Sequence, residues 1–240
     1  MNRLFSLCHT IFIGMGAIAE KLLRLKNELP ANVKLIAVSK RQPDEKLQEA
    51  YDAGHRLFGE NIVQELVRKH QSFPADIEWH MIGHLQKNKV KYIVPFVSMI
   101  HSVDNFALAK EIDKRAAKAG VVVDCLFEIH IAREASKFGF RPHELLKELE
   151  TNDWKQAFPH IRFRGLMTMA THTDDREQIR FEFSQVRKLY EELKSTYFAG
   201  DEYFNELSMG MSGDYKIAID EGSTMVRLGT IIFGERMPKK

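Results

Sequence analysis

KLIAVSK, residues 34 to 40, runs through four consecutive apolar residues, Leu35 to Val38, and then breaks off into Ser39 and Lys40. An apolar run without polar alternation is the pattern of a parallel strand covered on both faces. Pro43 stops any extension, because it lacks a ladder donor and restricts the residue before it. Lys40 therefore stands at the carboxyl end of a buried strand, where α/β proteins gather ligands and a low-dielectric rim eases loss of the ammonium proton. It is a candidate for Schiff-base formation, the alternative being a solvated lysine that merely ends a strand.

Outward from this strand the chain alternates. The 3.6-residue spacing of Ile18, Leu22, Leu25 and Leu29 predicts a helix over 16–29 ahead of it, and Asp44 to Ala53 reads as a helix stopped by Gly54. A brief strand at Leu57 and Phe58 follows, with GEN at 59 to 61 opening a helix to about His70. Further strands are expected at 77–82, 97–101, 121–129, 161–167, 206–208 and 225–228. The intervening helices fall near 87–94, 105–119, 142–150, 175–198 and 214–219, and a last short turn or helix at 230–234. Eight strands alternating with helices, without a Gly/Ser/Pro-rich linker, point to one (β/α)8 barrel of the TIM type. A doubly wound open sheet is the competitor, disfavoured because no GxGxxG turn follows the first strand.

Composition narrows the function classes. The 240 residues are 44% hydrophobic and 28% charged, with a formal charge of +2, so no strong field or basic block suggests nucleic acid. Cys8 and Cys125 lie far apart and match no metal spacing, which suits a reducing compartment with Cys125 as a small core residue. Arg3 and the apolar run from Leu4 to Ile18 resemble a signal peptide, with Ala17-Ile18-Ala19 in the place of a cleavage site. The amphipathic spacing running straight through that point favours a first helix and a cytoplasmic location instead. Residues 1–15 are expected to be a flexible extension and 16–240 the barrel. No apolar run is long enough to cross a membrane, and a monomer is expected.

Barrel chemistry gathers where strands end, which collects Lys40, Asn61, His80 with Gly83 and His84, Ser102, Lys137, Met169, Ser208 to Ser212, and Arg227 with Gly229 and Thr230. SMGMSGD at 208 to 214 offers backbone N–H groups, two hydroxyls and a turn before a helix. With Gly229-Thr230 after the eighth strand, it forms a candidate phosphate cradle; a simple cap and turn is the alternative. Arg227 lies between Val226 and Leu228 and needs a partner, either a carboxylate across the barrel mouth or an acceptor on a ligand. His80 and His84 straddle Gly83 at a strand end, where their separation does not bring them to one face, so a zinc site is not favoured. A lysine, a phosphate cradle and an arginine together suggest a phosphorylated aldehyde.

AVSK at 37 to 40, FGENIVQE at 58 to 65, WHMIGHLQKNK at 79 to 89, SKFGF at 136 to 140, RGLMTMATHTDD at 164 to 175, LSMGMSGDY at 207 to 215 and VRLGTIIFGER at 226 to 236 occur in this order. In them the chain resembles the pyridoxal phosphate homeostasis proteins, single-domain barrels related to the N-terminal domain of alanine racemase. The resemblance implies that Lys40 carries pyridoxal 5'-phosphate (PLP) as a Schiff base and that Ser208, Ser212, Gly229 and Thr230 contact its phosphate. It also implies that Arg227 approaches the pyridine nitrogen, while Asn61, His80 and Met169 line the pocket. The racemases add a tyrosine from a second domain and a partner subunit, for which a chain ending at Lys240 leaves no room. The implied role is intracellular vitamin B6 homeostasis, with PLP-dependent apo-enzymes as partners and no efficient catalysis. A weak amino-acid racemase, or a Schiff-base aldolase acting on a phosphorylated sugar, is the alternative.

Overall fold

Leu35, Ile36, Ala37 and Val38 are all buried, and the strand they form, β1 (Lys34–Val38), is paired on both sides. The structure, a computed structural model, describes residues 16–132, 138–151 and 153–235. α1 (Ala17–Glu28) precedes β1; α2 (Asp44–Asp52), β2 (Leu57–Glu60), α3 (Val63–Ser72) and β3 (Glu78–Met81) follow. A 3-10 helix (Lys87–Tyr92) leads to β4 (Met99–Val103), α4 (Phe106–Ala119) and β5 (Val123–Ile129). After α5 (Pro142–Thr151) and the single turn α6 (Trp154–Ala157) come β6 (Ile161–Thr168) and α7 (Arg176–Thr196). β7 (Glu206–Ser208), α8 (Tyr215–Asp220), β8 (Met225–Leu228) and α9 (Thr230–Phe233) complete the order. The strands pair in sequence, all parallel, and β8 returns to β1, which closes the barrel.

The barrel is filled by alternation, since every second residue of a strand faces inward. Met99, Leu126, Met167 and Met225 form an apolar cluster of their own inside it, separate from the larger core between sheet and helices. Below this plug, at the amino ends of the strands, Lys34 pairs with Glu206, and Arg164 bonds Asp124 at 2.7 Å. Above it, two residues further along their strands, stand His101, Glu128 and Arg227, so the polar residues of the carboxyl end rest on a dry floor. The outer helices bury one stripe each. α4 buries Leu108, Ala109, Ile112 and Ala116, is capped by the Asn105 side chain accepting from Leu108 N, and ends at the left-handed Gly120 (φ 69°). α1 docks onto α2, where Glu49 Oε1 accepts from Ile18 N at 2.7 Å. No described helix is long and apolar enough to cross a membrane.

Four elements differ from the sequence reading. β2 continues through Gly59 and Glu60, which pair with His80 and Met81, so the helix opens at Val63 and not at Gly59. Glycine is needed there because a Cβ would lie 2.9 Å from Ile36 Cγ2. β4 starts two residues later than expected, because Val97 N still bonds Ile93 O at the close of the preceding helical turns. Those turns are a 3-10 helix and not an α-helix. The α6 turn, capped by Asp153, has no counterpart in the sequence reading. The expected extension at 1–15 lies outside the described residues.

Candidate functional site

The exits of β1, β2, β6, β7 and β8 converge on the same mouth. Lys40 follows β1, Asn61 follows β2, Met169 follows β6, Ser212 lies in the loop after β7, and Arg227, Gly229 and Thr230 belong to β8 and its exit. All seven line one cavity of about 360 Å³, together with His172, Asp174 and Asp214. His80 and Ser208 do not line it. They lie in the buried layer beneath, connected to it through Arg227. Lys137 falls outside the described residues.

Arg227 is held without a carboxylate within ion-pair distance among the described residues. One guanidinium nitrogen, Nη1, donates to Ser208 O at 2.8 Å and to Ser208 Oγ at 2.7 Å, and Nη2 donates to Thr168 O at 2.8 Å. The expected alternative of an ion pair across the mouth is therefore not how the side chain is oriented. Burial lowers its pKa to about 10 against the pull of Asp214 and Glu128, so it stays charged at neutral pH.

The hydrogen-bond direction continues inward. An arginine only donates, so Ser208 Oγ accepts from it; we assign the hydroxyl proton to the bond with His101 Nδ1, 3.0 Å away, one of the two directions open to that pair. In that assignment His101 carries its proton on Nε2 and donates to His80 Nδ1 at 2.8 Å, which leaves the His80 proton on Nε2. Both rings are neutral: burial lowers His80 to about 3, helped by Lys34, and burial, His80 and Arg227 hold His101 well below the usual range. Beside them Glu128 is 7% exposed and its Oε2 has no partner among the described residues. Burial raises it to about 7, Asp104 pushing the same way and Arg227 opposing.

The loops after β7 and β8 have the form of an anion cradle. Among the described residues, the N–H groups of Ser212, Gly213 and Thr230 have no protein acceptor. Gly210 makes the turn with φ 96°, where a Cβ would lie 2.6 Å from Ala218 Cβ, and a Cβ on Gly229 would lie 3.1 Å from Val38 O. Asp214 is turned into its own loop, its Oδ1 accepting from Met211 N at 2.5 Å, and burial raises its pKa. Asn61 Oδ1 is buried with no partner among the described residues, a polar atom available to a ligand.

Other strand-end candidates have local tasks. Ser102 Oγ donates to Gly83 O at 2.6 Å. His84 pairs with Asp104 at 3.1 Å and stacks on Phe138, well apart in its bonding from His80. No group of three potential metal ligands occurs among the described residues. His101, Glu128 and Asp214 were not singled out by sequence, although a histidine inside the apolar run VSMIHSV at 97 to 103 was a visible signal.

Comparison with known proteins follows the same lines. The family model described as alanine racemase, N-terminal domain, matches residues 13–237. A pyridoxal phosphate homeostasis protein of Aquifex aeolicus is 43% identical over 204 residues, covering 85% of this chain and 87% of that protein. One from Bos taurus is 40% identical over 230 residues, covering 91% and 83%. The structure of PipY from Synechococcus elongatus with PLP bound superposes with a TM-score of 0.82 at 39% identity, over 90% of this chain and 100% of that one. An alanine racemase of Clostridium difficile, 16% identical with a TM-score of 0.72 over 93% of this chain and 57% of that one, shares the fold. A barrel with these strand ends, matched by sequence across nearly its whole length, belongs to the pyridoxal phosphate homeostasis proteins of the alanine racemase N-terminal domain family.

Proposed function

We propose that this protein binds pyridoxal 5'-phosphate at the barrel mouth, linked to Lys40 as a Schiff base, and serves vitamin B6 homeostasis as a monomeric cytoplasmic carrier that hands the cofactor to apo-enzymes. The observation that carries this is the convergence of Lys40, Arg227 and the unpaired N–H groups of two loops on one cavity. When bound, the cofactor supplies an aldehyde that an amine can capture and a ring that withdraws electrons. Ser212, Gly213 and Thr230 present donors suited to its phosphate, and Asn61 and Met169, which line the same cavity, would hold the ring. Ser208 and His80 act from below, by orienting Arg227.

Arg227 argues against efficient catalysis. It can only donate, and its orientation is set by three hydrogen bonds, so it would hold a ring nitrogen placed opposite it unprotonated and would make the ring a weaker electron sink. The residues of this chain bind and orient; the neighbours of Lys40 offer no tyrosine among the cavity residues to serve as a second acid or base.

The test is an absorption spectrum of protein reconstituted with PLP. A violet band that Lys40→Ala abolishes is expected, followed by transfer of cofactor to an added apo-enzyme. A colourless protein favours the phosphorylated-sugar aldolase. Rapid entry of solvent deuterium at the α-carbon of an added amino acid would replace the carrier reading by a racemase.

A further inference from the structure

Lys40 sits on a turn that is gripped from behind by charged residues which do not line the cavity. Lys69, on α3, is 0% exposed. Its three ammonium protons have three acceptors: Ser39 O at 2.8 Å, Glu60 Oε1 at 2.7 Å and Glu65 Oε1 at 2.7 Å. Glu60 Oε1 also accepts from Ser39 Oγ at 2.6 Å, and Glu65 Oε1 accepts from Arg41 N at 2.8 Å. The residue before Lys40 is thus tied through its carbonyl and hydroxyl, and the residue after it through its amide.

The arrangement carries a cost that stability alone does not repay. Withdrawing a lysine and two carboxylates from water is expensive, and a packed apolar substitute is often as stable. Arg41 adds to it. Its φ of 58° makes it the one non-glycine residue with positive φ among those described, a conformation that costs about 1–2 kcal/mol. Strain of this kind persists where surrounding contacts over-determine the backbone, and here those contacts converge on the two peptide groups that flank a single side chain.

We propose that the Lys69, Glu60 and Glu65 cluster is the positioning device for Lys40, fixing the peptide planes on both sides so that the amine is directed over the barrel mouth. The inference rests on the reading of Lys40 as the cofactor lysine. These are positioning residues, acting through the backbone of 39 to 41.

The full chain is titrated with PLP, following the dissociation constant and the rate at which the violet band forms, next to the melting temperature of the cofactor-free protein. Glu65 is 17% exposed, so Glu65→Ala is the mild variant, and Glu65→Gln retains an acceptor for Arg41 N. Glu60→Gln with Lys69→Met removes the central charges together. The expected result is about tenfold weaker binding and slower band formation in Glu65→Ala, with melting near that of the parent and recovery in Glu65→Gln. The double variant is expected to lose at least as much. Amide hydrogen exchange of the cofactor-free protein should show Arg41 N deprotected in Glu65→Ala and protected in Glu65→Gln. Parental affinity and rate in Glu65→Ala and the double variant, with a Lys40→Ala control that lacks the band, would overturn the inference alone. A band surviving in Lys40→Ala would instead overturn the cofactor reading, and the inference with it.

Discussion

Replacing His101 by leucine tests whether the polar layer beneath the cavity is one directed network. His101 is fully buried between His80, 3% exposed, and Ser208, 0% exposed, and it makes a hydrogen bond to each, at 2.8 and 3.0 Å. Leucine strands the Nδ1 lone pair of His80 and the hydroxyl proton of Ser208 above the methionine floor. A buried polar group without a partner costs about 1–3 kcal/mol, so the two together cost roughly 2–6 kcal/mol. Leucine fills most of the volume and recovers about a third of that through apolar burial. A net loss of about 3 kcal/mol is expected, which for a domain of this size lowers the melting temperature by roughly 6–12 °C. Urea unfolding followed by circular dichroism reads it directly, provided the slope with denaturant is unchanged. His101→Gln, whose amide can accept from Ser208 and donate to His80, is expected to recover about half. In the parent, imidazole nitrogen NMR should show both rings neutral with the proton on Nε2. A loss below about 1 kcal/mol, or a proton on Nδ1 of His101, would refute the direction assigned to the network.

Glu128→Gln separates a carboxylate raised by burial from an ordinary one. With a folded pKa near 7, above that of the unfolded chain, the native state holds a proton that the unfolded state has released, so stability falls as pH rises from about 4.5 to 7. The neutral variant escapes this and should be more stable at pH 8 by about 3 kcal/mol, while matching the parent near pH 4.5 in chemical denaturation. Gly210→Ala combines a φ of 96° with a Cβ 2.6 Å from Ala218 Cβ, so a stability loss of about 2–4 kcal/mol and weaker PLP binding by equilibrium titration are expected.

Strand count, strand ends and the lysine were legible in the chain because they follow from local rules. Leu35 to Val38 can only be a covered strand, and alternation of such runs with amphipathic helices leaves few architectures. The errors came where neighbours decide. Gly59 reads as a breaker in sequence, yet it is a strand residue because Ile36 approaches from the next strand. The start of β4 moved because Val97 still belongs to the helical turns before it.

Of the site, the residues with unusual chemistry at strand ends were visible, and their family wording identified the cofactor class. Which of them face the cavity, and which work beneath it, was set by how far along its strand each lies: His80 and Ser208 pair in register with Met99 and Met225 of the floor. His80 and Ser208 belong to the lower layer for that reason, and His101 matters only because β4 places it between them. Lys69 gives the sharpest contrast. On a helix with exposed neighbours it reads as a solvated cation, and only the packing of α3 against the turn after β1 takes it out of water and aims its three protons. The sequence by itself therefore determined that a lysine ends a buried strand of a barrel. Tertiary structure alone decided what grips that lysine's backbone, because the hydrogen bond between residues 39 and 69 depends on the packing of α3 against the turn after β1 and leaves no mark on local spacing.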